Sequence, residues 1–151
     1  MAERRDTSSV LDEIIATAGV VVIVDDHVLL IEHGAGAGHV TGAWGIPAGG
    51  IDDEETARAA AIRELAEETG LRVDGRTLVE LPTLCEARIA RKVGSARFSV
   101  RVFVTDRYEG ELAPSEEGLP TWVRLDQVAR LPSLLGNTEE IVAAAAQALR
   151  R

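Results

Sequence analysis

Hydrophobic and polar positions along this chain follow two periods. Residues 17–24 (TAGVVVIV) form a run rich in β-branched side chains, and residues 28–32 (VLLIE) form a second apolar run. Asp25, Asp26 and His27 separate them, so the pair predicts a hairpin with at least one well-buried strand. Further strands are predicted over about 78–89, 96–105 and 121–125. In the second of these, Phe98, Val100, Val102 and Val104 alternate with Arg97, Ser99, Arg101 and Phe103, the pattern of a half-buried strand with one exposed face. Helical spacing governs 56–69, where Gly70 is placed to end the helix in a left-handed cap. A last helix is predicted from a cap at Asn137 or Thr138 to about Leu149, and a short amphipathic one over 8–16. Residues 33–45 (HGAGAGHVTGAWG) read as a glycine-rich loop. Strands thus flank one central helix and a second helix closes the chain, with no repeat or linker. The pattern predicts a mixed α/β fold in one domain over 1–151, a length suited to a single core.

Composition then narrows the chemistry. Apolar residues make up 46% of the chain, enough for a core, but 25 Asp and Glu face only 16 Lys and Arg, a net charge of −9. That balance argues against nucleic acid as a main partner, which would want a basic surface. It also repels any polyanion unless a cation or a local basic patch intervenes. Cys85 is the single cysteine and cannot form an intramolecular disulfide, which suits a reducing compartment. The charged residues at 1–6 do not resemble a secretory signal, and no apolar stretch reaches about 18 residues. The expectation is a soluble, cytoplasmic protein with no membrane segment.

The informative segment is 49–71, GGIDDEETARAAAIRELAEETGL. With the helix at 100° per residue and Glu64 at zero, Glu67 falls at about −60° and Glu68 at about +40°. Three carboxylates therefore share one stripe. Ala59, Ile62, Leu65, Ala66 and Thr69 fall between about 100° and 220°, which predicts that they pack on the sheet while the acids face away. Arg63 lies one turn before Glu67, within ion-pair reach. Clustered carboxylates repel one another, and a hard divalent cation relieves that repulsion because carboxylate oxygens are its preferred ligands. The stripe suits a platform for phosphate chemistry, and by itself it equally suits a solvated acidic helix face.

The whole segment separates those readings. Gly49, Glu55 and Arg63-Glu64-Leu65-Ala66-Glu67-Glu68-Thr69-Gly70-Leu71 match the Nudix box at every defining position, and the chain resembles a Nudix hydrolase. Seven fixed residue types at roughly 6–7% usage each would coincide about once in a million chains of this size. The lead-in Trp44-Gly45-Ile46-Pro47-Ala48-Gly49 and a late Glu followed by Trp122 also fit.

The resemblance implies an α/β/α sandwich with a mixed sheet. It also implies a hydrolase, using magnesium or manganese, of a nucleoside diphosphate linked to another moiety. Carried over, Glu64, Glu67 and Glu68 supply metal ligands and the base, with Glu64 favoured as the base. The carbonyl of Ala48 and Glu117 join the metal set, with Glu116 as the alternative to Glu117. Arg63 and Glu55 form the ion pair that orients the acids. The substrate suggested is a nucleoside di- or triphosphate of the nucleotide-cleaning type. The alternatives are ADP-ribose or another nucleoside diphosphate sugar, and a non-catalytic nucleotide-sensing module. A homodimer is compatible with the family, though no sequence feature identifies an interface.

Residues 88–107 hold six basic residues and one acid, Asp106. If Arg97 and Arg101 share an exposed strand face they can meet phosphates, and Phe103 on that face can stack a base. Trp122 reads as core and Trp44 as either core or pocket wall. The loop at 34–39 lacks the following helix that a dinucleotide-binding loop requires. His33 and His39, without acidic or cysteine neighbours, read as solvent residues, and Cys85 as buried and inert.

Overall fold

The structure, a computed structural model, describes residues 14–34, 40–82, 85–90 and 95–150, with the backbone alone at 85–90 and 95–98. Strand β1 (Ile14–Val24) is its axis. Two residues, Asp25 and Asp26, turn it into β2 (His27–His33), both at positive φ as a tight hairpin of the right twist requires. Two short strands follow, β3 (Trp44–Gly45) and β4 (Ala48–Gly50), and then helix α1 (Ala57–Thr69). The remaining elements are β5 (Val79–Glu80), β6 (Cys85–Ala90), β7 (Ser95–Thr105), β8 (Gly118–Arg124) and helix α2 (Thr138–Leu149). Strand β1 runs parallel to β7 from Ile14 to Val22, while every other pairing is antiparallel, which makes the sheet mixed. On its other edge β1 holds β4 through Thr17, Ala18 and Gly19.

Residues 14–16, expected at the end of a helix, open β1 instead, because β7 offers Ile14, Ile15 and Ala16 a continuous parallel partner. The rest of that expected helix lies outside the described residues. The strand expected over 78–89 is two strands, β5 and β6, both paired to β7.

The unbroken apolar run in β1 is explained by burial on both faces, as in sheets covered by helices on each side. Ala18, Val20 and Val22 pack with Ala57, Ala60, Ala61 and Leu65 of α1. Val21 and Ile23 point the other way and join Val100, Val102 and Val104 with Ile141, Val142 and Ala145 of α2. The architecture is the expected α/β/α sandwich. Each large aliphatic side chain fully buried in these layers contributes roughly 1.5–3 kcal/mol relative to exposure.

This arrangement corrects the reading of β7. Phe103 is 1% exposed, because α1 covers the face that the alternation suggested was open. The guanidinium of Arg58 lies 4.9 Å from the Phe103 ring centre while donating to Gly75 O and Leu78 O. Phe103 therefore cannot stack a base. Arg101 shares that side of the sheet and is held by Glu80, with Nε donating to Oε2 at 2.7 Å and Nη2 to Oε1 at 2.8 Å. The side chains of Arg97 and Cys85 lie outside those described, as does His39.

Candidate active site

Local signals fix α1 at both ends. Thr56 Oγ1 accepts from Ala59 N at 3.0 Å, and Gly70 ends the helix at φ 85° with its N–H on Ala66 O. The loop before the helix is tied to it by Arg63. Arg63 Nε donates to Glu55 Oε2 at 2.8 Å, and Nη2 donates to Glu55 Oε1 and to Gly50 O, both at 3.0 Å. Its Nη1 donates to Glu64 Oε1 at 3.0 Å and to Glu67 Oε1 at 2.8 Å. The expected ion pair with Glu55 is present, and the one guanidinium also orients two carboxylates of the stripe. Hydrogen bonding to Arg63 pulls the Glu55 carboxyl down to about 2.

The buried face of α1 differs from the one expected. Ala57, Ala60, Ala61, Leu65, Glu68 and Thr69 are buried, whereas Ala59 and Ala66 are exposed. The helix is rotated so that the acidic stripe meets the sheet along one edge. Glu68 is only 7% exposed, and its Oε1 accepts from Ala48 N at 2.9 Å. Burial, and then the charges of Glu64 and Glu117, push its carboxyl up to about 8. Burial likewise raises Glu64, with Glu67 and Glu117 adding to the rise against the opposing pull of Arg63. A Cβ on Gly49 would collide with the Glu64 carboxylate, so any side chain at this position of the box would displace that carboxylate.

Glu117 arrives from the segment before β8, lines the cavity, and its charge bears on both Glu64 and Glu68. Ala48 touches the cluster through its N–H. Among the described residues no three acidic, histidine or cysteine side chains are posed to enclose an ion, since Arg63 takes one oxygen each of Glu64 and Glu67. The chemistry of the donor set nevertheless fits a divalent cation. It offers hard oxygens only, and it includes a buried carboxylate with a single backbone donor and like charges around it.

Beside the cluster lies a cavity of about 320 Å³, a size typical of small-molecule sites. Ala48, Gly49, Gly50 and Glu117 form its rim toward the acids. Its walls are Ile15, Val40, Ile46, Val100, Leu135 and Ile141, with Thr17, His33, Asn137 and Thr138 as polar members. Trp44 is not among the lining residues. It packs on the core with Ile46, Leu131 and Leu134, and its backbone is bonded to Ser133 and Leu135. Trp122 is half-buried, against the α1-side core and Tyr108.

Two lining residues escaped the sequence reading. Asn137 stands at the N-cap of α2, but its side chain makes no capping bond there. His33, expected in solvent, is half-buried, with Nδ1 2.9 Å from Ala43 O. The cap signature at 137 was legible; the place of Asn137 in the cavity wall was not.

The NUDIX domain family description matches residues 14–145. The chain belongs to the Nudix family. The oxidized purine nucleoside triphosphate hydrolase of Danio rerio is 35% identical to this Nudix chain over 118 residues, covering 72% of it and 65% of the relative. The mouse protein of the same name is 36% identical over 110 residues, with the same coverage. The chain thus spans about 65% of the length of these curated relatives. Among solved structures, the MutT NUDIX hydrolase of Burkholderia pseudomallei superposes with a TM-score of 0.71 at 24% identity, covering 90% of this chain and 98% of that one. No helix among the described residues is long and apolar enough to cross a membrane.

Proposed function

We propose that this Nudix protein is a divalent-metal-dependent diphosphohydrolase acting on nucleoside triphosphates that carry an oxidised purine. The observation that carries the reading is the shared wall between the acidic cluster and the apolar cavity: Ala48–Gly50 and Glu117 belong to both. A base held in the cavity has its phosphates directed at the acids. The names of the vertebrate relatives point to the oxidised purine.

Glu64, Glu67, Glu68, Glu117 and the carbonyl of Ala48 would hold magnesium or manganese. When bound, such an ion neutralises phosphate charge and polarises the phosphorus under attack. The chain's own part is positioning and proton transfer. Arg63 fixes Glu64 and Glu67 through Nη1 while Glu55 fixes Arg63. Arg63 takes only Oε1 of Glu64, which leaves Oε2 for the proton of the attacking water. The oxygen of that water bonds to phosphorus as the bridging P–O bond breaks, and nucleoside monophosphate and pyrophosphate separate, the leaving one taking the electrons of the broken bond.

Product analysis with 8-oxo-dGTP, dGTP and ADP-ribose tests the reading. Metal-dependent cleavage fastest on 8-oxo-dGTP is expected. Faster cleavage of ADP-ribose than of either triphosphate would transfer the protein to the nucleoside diphosphate sugar class. No turnover with any metal would leave a nucleotide-sensing module.

A further inference from the structure

The carboxylates of the acidic cluster are not held in the same way. Arg63 Nη1 holds Oε1 of Glu64 and of Glu67, and Ala48 N holds Oε1 of Glu68. Glu117 differs. Its carboxylate has no hydrogen bond or ion pair among the described residues, it is exposed, and Glu64 and Glu68 repel it. A side chain so placed turns outward to water unless its backbone is fixed.

Both polar groups of that backbone are fixed. Glu117 N donates to Ser115 Oγ at 3.2 Å, and Glu117 O accepts from Gly34 N at 2.9 Å. Ser115 N closes the turn on Gly118 O at 3.0 Å. Gly118, paired with His33, then lies flush on β2: a Cβ there would overlap Glu32 O and stand 2.9 Å from His33 Cα. Its φ lies outside the left-handed region, so glycine here provides space and not backbone freedom. Upstream, Ala113 N donates to Thr69 O at 2.8 Å, one residue from Glu68 on α1. The strap 113–118 is thus tied to α1 at one end and to β2 at the other, with Glu117 between.

We propose that Ser115 and Gly118 are positioning residues that place Glu117 among the metal-binding acids through its backbone. The inference rests on the metal set proposed above and extends it to two residues outside the box. A side-chain donor on Glu117 would compete with a cation for the oxygens it positions. Backbone anchoring leaves both oxygens to a hard cation and limits how far repulsion carries them in the metal-free chain. A group that orients a metal ligand is worth about tenfold to hundredfold in affinity. Ser115 gives one acceptor to an exposed turn, so its share is the smaller. Gly118 sets how closely the whole strap approaches β2, so its share is the larger.

Manganese titration of the nucleotide-free chain, with free Mn2+ read by electron paramagnetic resonance, tests this apart from turnover. Ser115→Ala is expected to weaken Mn2+ binding about threefold to tenfold, and Gly118→Ala about tenfold or more. Ser115→Thr keeps the hydroxyl and is expected to bind within about twofold of wild type. In a Glu117→Gln background, Ser115→Ala and Gly118→Ala should each cost less than about twofold, because the ligand they place is gone. Wild-type binding in either variant, while Glu117→Gln weakens it, overturns the inference and leaves the metal set standing. Undiminished losses in the Glu117→Gln background overturn it as well, since they report a general loosening around β8. Should Gly118→Ala fail to fold, the Ser115 variants and their cycle with Glu117→Gln decide. Glu117→Gln without effect on Mn2+ removes Glu117 from the metal set, and the positioning role with it. Failure to hydrolyse triphosphates while the Mn2+ results hold overturns the hydrolase reading alone.

Discussion

Glu68 is where the demands of folding and of chemistry oppose each other. Its carboxyl lies against the sheet with one backbone donor, Ala48 N, and three other carboxylates act on it. A folded-state value near 8, against 4.5 for the free side chain, means that the folded chain binds a proton more strongly than the unfolded chain between those values. Stability of the metal-free protein must therefore fall as pH rises through that window, by at most about 1.4 kcal/mol per pH unit for one group. Glu64 is raised and acts in the same direction. Glu55, lowered to about 2, acts the other way, with its contribution present above about 4.5 and lost as pH falls toward 2, outside the window. Denaturant unfolding in EDTA should thus show lower stability at pH 8 than at pH 5, and Glu68→Gln should flatten the decline. Equal wild-type stability at the two pH values would contradict the burial account. Glu64, Glu67 and Glu68 were legible as a cluster from spacing alone, whereas the burial of Glu68 was not, since the wheel put the sheet on the side opposite the acids.

At the scale of elements, α1 shows what local sequence can and cannot specify. Thr56 and Gly70 mark its ends by chemistry confined to a few residues, and Gly70 closes it in the left-handed cap expected of it. Gly70→Ala combines a left-handed backbone with a Cβ only 2.7 Å from Glu111 O, while Gly42→Ala, at φ 87°, meets nothing within 4 Å. Denaturant midpoints should therefore show Gly70→Ala losing roughly 1–3 kcal/mol and clearly more than Gly42→Ala. Equal losses would show that Glu111 yields freely. The packed face of α1 was misread because the helix is rich in alanine. Ala59 and Ala66 are indistinguishable by type from Ala60 and Ala61, and only the position of the sheet decides which are buried. Phe103 was misread for a related reason: alternation along β7 reports one apolar face and is silent about a second layer on the other. That Asn137 and His33 line the cavity depends on chain segments distant in sequence.

For the whole molecule, the acidity has an address. Residues 49–71 carry seven acids and two arginines, a net −5 out of the −9 of the full chain. Of the basic stretch at 88–107, Arg101 does not answer it, since it is held by Glu80 on the far side of the sheet from the cavity-lining Val100. The α/β/α frame brings the excess charge to one place: β1 holds β4 on one edge and β7 on the other, α1 presents the acids at β4, and α2 closes the cavity next to them. Under the proposed function, an acidic centre of this kind would meet its phosphate-bearing substrate together with a cation. The most direct test is turnover of 8-oxo-dGTP at saturating magnesium by Glu64→Gln, Glu67→Gln and Glu68→Gln, each compared with wild type. A loss of more than about tenfold in at least one variant, deepest in Glu64→Gln, is the predicted result; turnover within tenfold of wild type in all three would contradict the assignment of this cluster as the catalytic centre.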